Sequence, residues 1–455
     1  MSVFLRLVVI AAALTPFSVS AHAFGVQYTL PIPVSLYIFG GSAALVLSFV
    51  VLLFAPRRAD GGVVAEGRPI LGPRVTRTLI RILRSLMLIT TLAAVIIGIF
   101  GNQSPTNNFA PLAFWVYFLL GFAYLSVFVQ GVWERVNPFA LPIPFVQHRP
   151  ADSILPAKAY HLPALILYLL LIWFELLSGG AGAVPLFIAL GLIGYWIFSW
   201  GVIDRYGKEV WSEHFEVFGV FFRTVGLLAP FSVNEDGTRM TFSFERAARR
   251  EAPSIGLVVF ILSVLALTAF DGFRETAPYA HALVYFASVI PFSLLQILSF
   301  TAMPLLFCGT YTLCIFFVAW IRGNTKEFWT LLRTYAYSLV PIAIVYHFAH
   351  YFTLLIVQGQ SIVSIVSDPF GRGWNIFGTR EYTLNPGVIG ADTVWHVQLL
   401  VIVVGHIVAL YLSHLITERL IPDKKRAVLA ELPLLAVMVF YTAFGLWILS
   451  RPFAL

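Results

Sequence analysis

Charged residues are scarce in this chain: 11% of its 455 residues are Asp, Glu, Lys or Arg, whereas 59% are hydrophobic. This balance excludes an ordinary soluble domain, in which about a quarter of the residues are charged. Repeated apolar stretches of about twenty residues are typical of helices that cross a bilayer. The net charge of +7 does not indicate nucleic-acid binding, because the basic residues concentrate in alternate loops between the stretches.

Sulfur-containing residues are also few: the chain has two cysteines and five methionines. Cys308 and Cys314 lie six positions apart in one apolar segment, and six helical residues turn through about 600°. They therefore point to different faces, and we expect two small core residues rather than a disulfide or a metal pair. The low methionine count argues against the methionine clusters that are typical of copper channels.

The apolar stretches predict an all-α fold: a polytopic transmembrane helical bundle of about 10 spans after a cleaved signal peptide. Residues 1–23 have the signal-peptide pattern, with Arg6, an apolar run and then small residues. Cleavage after Ala23 fits this pattern, and so does cleavage after Ala21, which would leave His22 as a free copper-chelating N-terminus. The expected spans in the single domain 24–455 are about 34–54, 83–100, 110–130, 160–177, 184–201, 254–272, 297–320, 334–357, 394–416 and 430–450.

Basic residues predict how these spans are oriented. Cleavage of the signal peptide places the mature N-terminus outside a bacterial cytoplasmic membrane, and the loops then alternate between strongly basic and weakly charged. The predicted outer segments hold Arg274, Arg372, Arg380 and Arg451. The predicted cytoplasmic loops hold many more basic residues, among them Arg57, Arg58, Arg68, Arg74, Arg77, Arg81, Arg84, Arg135, Arg149, Lys158, Arg322, Lys326, Arg333, Arg419, Lys424, Lys425 and Arg426.

Two long loops and one ambiguous stretch complete this organisation. The cytoplasmic loop near 202–253 contains an apolar stretch from Val217 to Pro230, which we expect to form an interfacial amphipathic helix. The outer loop near 358–393 joins two histidine-bearing helices and is expected to close the space between them as a lid. Residues 278–299 are apolar enough to span, but a span there would invert every later loop, so we expect a re-entrant or interfacial segment.

Five of the ten histidines lie on two consecutive apolar helices. His347 and His350 are on the first helix, and His396, His406 and His414 are on the second. Ionisable groups inside a membrane are costly and mark functional sites by default. If the two helices are antiparallel neighbours, His347, His350 and His406 reach a similar depth, with His350 about 12 Å below the outer end.

Two carboxylates, Glu175 and Asp271, lie near the outer ends of their own spans. Histidines and carboxylates in an apolar setting suit a divalent transition metal such as Zn, Mn or Cu. Such a metal ionises bound water near neutral pH, and Asp271 or Glu175 would be a further ligand or a general base. Hydrogen bonding to a neighbouring helix is the alternative role for each group, and the preferred one for His414. The expected metal ligands are His347, His350, His406 and His396.

Short motifs are spread along the chain and are densest between 340 and 415. They are Leu30-Pro31-Ile32-Pro33, Asn137-Pro138, Ala269-Phe270-Asp271-Gly272, Ala349-His350-Tyr351-Phe352, Ser367-Asp368-Pro369, Asn375-Ile376-Phe377-Gly378-Thr379, Trp395-His396-Val397-Gln398, Gly405-His406, Ser413-His414 and Gly445-Leu446-Trp447. With these motifs the chain resembles the bacterial membrane proteins called fenitrothion hydrolases. That family often has Tyr at the position of His396, so His350, His406 and His414 are the closer matches.

The resemblance implies an inner-membrane hydrolase that splits the aryl P–O bond of an organophosphorus triester. Burial in the membrane suits a neutral, hydrophobic phosphorothioate substrate that partitions into lipid. The alternative is a metal- or haem-binding membrane protein for transport or electron transfer, in which facing histidines on two helices hold haem b as an axial pair. A third alternative is a transporter whose histidines relay protons.

Overall fold

The computed structural model describes residues 34–54, 67–141, 155–234, 236–241 and 244–450. Within these residues the prediction of an all-α polytopic bundle is confirmed, because ten helices are long and apolar enough to cross a membrane. Each corresponds to one of the expected spans. The predicted signal peptide, with His22, lies outside the described residues.

Thirteen helices build the described part of the bundle, and further helical segments of three to five residues lie among and beside them. The third of the thirteen runs on through a ten-residue π-helical stretch, Leu112–Gly121. The tenth and eleventh together form one spanning segment. The bounds are α1 Val34–Phe54, α2 Pro73–Phe100, α3 Phe109–Phe128, α4 Leu162–Leu177, α5 Pro185–Tyr206, α6 Val217–Val225, α7 Ile255–Arg274, α8 Ala277–Phe286, α9 Phe292–Arg322, α10 Phe328–Tyr335, α11 Val340–Gln358, α12 Ala391–Leu420 and α13 Lys424–Leu449.

A small sheet lies at one end of the bundle, which we call the sheet end. Its four strands are β1 Arg68–Leu71, β2 Val129–Gln130, β3 Phe231–Asn234 and β4 Gly237–Met240, in the order β1-β4-β3-β2. The pairs β1–β4 and β3–β4 are antiparallel, and β2–β3 is parallel. The opposite end, which carries the long connection between α11 and α12, is the loop end.

The segment between α7 and α9 does not span the membrane, as predicted. It forms the short helix α8, and α9 begins at Phe292. Apolar side chains along this segment are exposed, including Val284, Tyr285 and Val289. This segment therefore lies at the loop end with its apolar side chains directed away from the bundle, as expected for an interfacial segment.

The helix that was expected to be interfacial in the 202–253 loop is instead buried inside the protein. The sequence from Val217 does form an amphipathic helix, α6, but eight of its nine residues are buried and only Arg223 is partly exposed. Phe221 contacts the ring of His347, and Phe218 contacts Phe118 of α3. The helix is buried because it inserts its aromatic side chains between spans instead of lying on a lipid surface.

Glu216 caps the start of α6 with a buried carboxylate. It accepts hydrogen bonds from Trp133 Nε1 at 2.7 Å, from the Tyr195 hydroxyl at 2.9 Å and from the Gly219 amide at 2.5 Å. Burial raises the pKa of this carboxyl from 4.5 to about 7, although the three donors act in the opposite direction. The folded protein therefore holds a proton at Glu216 over a pH range in which the unfolded chain has lost it.

We expect the protein to lose stability as the pH rises through the window between 4.5 and about 7. The raised pKa corresponds to a loss of about 3 kcal/mol above that window. Glu216→Gln removes the titration, so its thermal unfolding temperature should vary less between pH 5 and pH 8 than that of the wild type. The control Glu213→Gln changes an exposed carboxylate nearby and should follow the wild type. Parallel pH profiles for wild type and Glu216→Gln would contradict this prediction.

The two histidine-bearing helices, α11 and α12, pack directly against each other. The Gln398 side chain donates to the Ala349 carbonyl at 2.8 Å. Gly405 permits the close approach, because a Cβ atom there would meet the Val345 side chain, with its Cβ only 2.8 Å away.

Gly405→Ala should destabilise the bundle by about 1–3 kcal/mol, since the added methyl group forces α11 and α12 apart. The matched control is Gly309→Ala in α9, where nothing lies within 4 Å of the added atom. The control should be neutral or slightly stabilising because alanine favours the helix. Thermal unfolding of the purified variants measures both effects, and equal unfolding temperatures would refute the close-packing argument.

Candidate functional site

A buried carboxylate near the loop end is held by three side chains. Asp271, close to the end of α7, has its Oδ2 atom 2.9 Å from His350 Nε2 and accepts a hydrogen bond from the Tyr351 hydroxyl at 2.7 Å. Its Oδ1 atom lies 3.2 Å from Arg274 Nε. His350 and Tyr351 are consecutive residues of α11, so the carboxylate joins two spanning helices.

Arg274 connects this carboxylate to a third helix. Its guanidinium donates to the Leu176 carbonyl of α4 at 2.5 Å and lies 3.0 Å from Glu275. Leu176 directly follows Glu175, the other carboxylate that the sequence indicated. A charge in an apolar environment is tolerated when it is paired and hydrogen-bonded, and here the pairing brings α4, α7 and α11 together.

A small cavity adjoins this network. Its volume is about 30 Å³, which is enough for one or two water molecules. Polar groups in its lining include Glu175, His347 and Tyr351, whereas Trp115 and Leu119 belong to its apolar wall. No hydrogen bond from another described residue holds the Glu175 carboxylate, although Asp271 and Arg274 act on it electrostatically.

The wall of the cavity that α3 provides is π-helical. Trp115 and Leu119 belong to the π-helical stretch Leu112–Gly121. Trp115 is fixed by a hydrogen bond from its Nε1 atom to the Gly182 carbonyl at 2.8 Å, and Tyr117 donates to the Gly359 carbonyl at 2.7 Å. Such widened helical turns occur frequently at functional sites.

The histidines on α11 and α12 do not converge on one point. His347 contacts the rings of Tyr124 and Phe221, whereas His350 faces Asp271 of α7. The Nδ1 atom of His406 donates to the Ile402 carbonyl of its own helix at 2.8 Å. The two helices thus face each other while their histidines point to different neighbours.

The other two histidines of α12 lie farther apart still. His396 is exposed, and its Nδ1 atom lies 2.6 Å from the Asp392 carbonyl oxygen. His414, near the sheet end, has its Nδ1 atom 3.0 Å from the buried carboxylate of Glu431 on α13 and its Nε2 atom 3.6 Å from Glu418. The preferred sequence interpretation of His414, a simple hydrogen bond to a neighbour, missed this pairing with two carboxylates.

The donors for the expected metal are therefore not assembled. Among the described residues, no three His, Cys, Asp or Glu side chains form a group that could hold a metal ion. Asp271 is already bound by an arginine and a histidine, and His350 directs its Nε2 atom to that carboxylate. Among the described residues, His347, His350, His406 and His396 are therefore not brought together as a set that fits a divalent metal, and the imidazoles of α11 and α12 point to different neighbours.

The sequence reasoning also missed Arg274 and Tyr351 as site residues. Arg274 counted only as a charge in an outer segment, yet it lies three positions after Asp271, a spacing that puts both on one helix face. Tyr351 follows His350 directly; its hydroxyl donates to Asp271, and the residue also lines the cavity. The role of Arg274 could have been predicted from its spacing to Asp271. The role of Tyr351 could not, because it depends on the direction of the side chain.

The expected lid loop between α11 and α12 is tied to the neighbouring connection. The Phe370 carbonyl accepts from the Asn102 amide at 2.8 Å, and the Arg372 guanidinium donates to the Phe100 carbonyl at 2.9 Å. These bonds join the loop to the segment between α2 and α3, so it covers the end of α3 whose π-helical stretch lines the cavity.

Comparison of the chain with protein-family models, with curated proteins and with solved structures gives no match.

Asp271→Asn should destabilise the protein by about 3–5 kcal/mol, because it breaks a buried ion pair and leaves Arg274 with Glu275 as its remaining carboxylate partner. The double variant Asp271→Asn/Arg274→Gln should recover part of this loss, since it removes both charges. The control Asp392→Asn changes an exposed carboxylate at the same end and should stay within about 0.5 kcal/mol of wild type. Thermal unfolding measures all three; losses that simply add in the double variant would disprove the pairing.

Proposed function

We propose that the chain is a membrane-embedded hydrolase of neutral organophosphorus triesters of the aryl phosphorothioate class. The observation that carries the proposal is the position of Glu175, a carboxylate that faces a water-sized cavity with no hydrogen bond from another described residue. Such a group is placed to take a proton from water, which is the task of a general base.

The resemblance to fenitrothion hydrolases supports the same location. Its motifs Ala269-Phe270-Asp271-Gly272 and Ala349-His350-Tyr351-Phe352 are separated by about eighty positions in the sequence. In the fold they meet in one hydrogen-bonded network, at 2.9 Å between Asp271 and His350. The two stretches thus meet beside the cavity, which Tyr351 of the second stretch lines together with Glu175.

In the proposed reaction, a water molecule in the cavity transfers a proton to Glu175 while its oxygen attacks phosphorus. The aryl P–O bond breaks, and the departing aryloxide takes up the proton from Glu175. The products are a dialkyl phosphorothioic acid and a phenol, so atoms and charge balance. His347 and Tyr351 orient the water. Asp271 is a positioning residue, because it holds the Tyr351 hydroxyl without lining the cavity. His350 and Arg274 are positioning residues in turn, because they hold Asp271.

The substrate class follows from the surroundings of the cavity. Its remaining walls are mainly apolar, with five leucine and isoleucine side chains, and they lie among helices whose outer faces suit lipid. A neutral triester dissolves in lipid, whereas a charged diester does not. A pocket for a molecule of this size measures roughly 300–1,000 Å³, so substrate binding requires α3, α4 and α11 to separate from the closed arrangement.

We infer that the sheet end faces the cytoplasm of a bacterial inner membrane and that the loop end faces outwards. Support comes from the basic residues Arg68, Arg74 and Arg77 at the sheet end, since cytoplasmic loops are rich in arginine and lysine. The proposed site then lies in the outer half of the membrane.

Glu175→Gln should lower the hydrolysis rate by roughly 100- to 10,000-fold, which is the usual contribution of a general base. Purified protein in lipid vesicles is supplied with a dialkyl nitrophenyl phosphorothioate, and nitrophenol release is followed by absorbance. The control Glu213→Gln should keep the wild-type rate. Wild-type protein without hydrolysis, or full activity in Glu175→Gln, would overturn the proposal.

The same preparation distinguishes the metal and haem alternatives. The proposal predicts that a chelator leaves the rate unchanged and that no Soret band is present. One metal ion per chain that is lost in His350→Ala and His406→Ala would instead support a metal-activated water, and a Soret band would support electron transfer.

A further inference from the structure

Three buried polar atoms of α11 and α12 have no hydrogen-bond partner among the described residues: His406 Nε2, the Tyr346 hydroxyl and the Ser413 hydroxyl. Their residues are 1%, 4% and 1% exposed. Buried polar groups are nearly always hydrogen-bonded, and internal water is the usual partner when no protein group is within reach. We therefore expect internal water to bind at these positions.

Two of these groups lie in the same layer of the membrane. Gly405 of α12 touches Val345 of α11, so His406 and Tyr346, one position further along these antiparallel helices, lie within about 3 Å of the same depth. The Tyr346 ring also lies against Gly445 of α13, 2.7 Å from the position of an added Cβ atom. The helices α11, α12 and α13 meet at this layer.

From this layer the polar groups continue towards the loop end along α11. His350 follows Tyr346 by four positions, one turn of the helix. Its ring lies beside Gly272 of α7, and Gly272 in turn touches Ile448 of α13, one turn beyond Gly445. Tyr346 and His350 thus occupy one groove between α7, α11 and α13, and this groove ends at Asp271.

Towards the sheet end the polar groups continue along α12. Ser413 lies seven positions after His406, which places it on the same face about 10 Å away. The small residue Ala409 lies between them on nearly the same face. Ser413 directly precedes His414, whose Nδ1 atom is 3.0 Å from Glu431.

The ring of His406 has a defined direction for a proton. Since the Ile402 carbonyl can only accept, Nδ1 of His406 carries the hydrogen in their 2.8 Å bond. The unpartnered Nε2 atom therefore offers a lone pair to a water molecule or to the Tyr346 hydroxyl. One turn nearer the loop end, Ile402 occupies the same face of α12 as His406. The polar groups therefore continue towards the loop end along α11, and not along α12 to Trp395.

We propose that these groups and the waters bridging them form a proton path across the membrane, from His414 and Glu431 at the sheet end to His350 and Asp271 near the loop end. The path passes Ser413, His406 and Tyr346 in that order. Glu418 flanks its first end, and Arg274 and Glu175 flank its second. Chains of polar and ionisable side chains inside membrane proteins carry protons in pumps and transporters. The path does not depend on the hydrolase proposal.

Proton flux through vesicles tests the path. Full-length protein is reconstituted in liposomes that contain a pH-sensitive dye, and a potassium gradient with valinomycin supplies the driving potential. The luminal pH should change faster with the wild type than in protein-free liposomes. Tyr346→Phe and Ser413→Ala each remove a single hydroxyl and should lower the flux by roughly tenfold or more.

Matched controls separate the path from a general effect of buried hydroxyl groups. Tyr124→Phe removes another buried, unpartnered hydroxyl, and Ser199→Ala changes a buried serine of α5; neither residue lies on the path, and both variants should retain the wild-type flux. Flux no faster than that of empty liposomes would overturn the proposal, and so would equal flux in path and control variants. Tyr346→Phe and Ser413→Ala should lose proton flux yet retain hydrolysis, because neither residue lines the cavity with Glu175, so the two proposals fail independently.

Discussion

The Asp271 carboxylate is the group on which the rest of this structure depends. It is 1% exposed and lies inside a span, where an uncompensated charge would be strongly unfavourable. The compensation comes from Arg274 on its own helix and from His350 and Tyr351 on α11, and Arg274 extends the network to α4. Three helices are thereby fixed relative to one another, and the cavity with Glu175 lies beside them.

This arrangement gives the two carboxylates different roles. Asp271 is saturated by partners and holds the Tyr351 hydroxyl in place. Glu175 has no such partners among the described residues and faces the cavity. A fixed carboxylate beside an unengaged one is a suitable basis for general-base chemistry, because the first provides the geometry and the second accepts the proton. The proposed proton path also ends at Asp271, so one network adjoins both features.

The sequence was sufficient for the architecture because the bilayer imposes a simple length requirement. The ten spans and the non-spanning segment around α8 followed from hydropathy and from alternating basic loops, whereas the contact between α11 and α12 was left open by the sequence. The buried position of α6 did not follow, since an amphipathic pattern is the same for a helix on a lipid surface and for one packed against aromatic side chains. Charge spacing could have indicated Arg274.

The candidate site was harder to predict because depth and helix contact do not fix side-chain direction. His347 and His406 lie on neighbouring helices, as the sequence suggested, but His347 points towards Tyr124 and Phe221. The metal site required these side chains to converge, and a rotation of one residue is enough to prevent it. Asp271 and His350 were named for a metal and instead bind each other.

The most direct test of this account is the rate of aryl alcohol release by Tyr351→Phe. This variant deletes the hydroxyl that donates to Asp271 and keeps the ring of a residue that lines the cavity. Correctly folded Tyr351→Phe in lipid vesicles is predicted to hydrolyse an aryl phosphorothioate at a tenth of the wild-type rate or below, roughly. The control Tyr124→Phe is predicted to keep the wild-type rate. Equal rates for Tyr351→Phe and the wild type, or no release by either, would contradict the account.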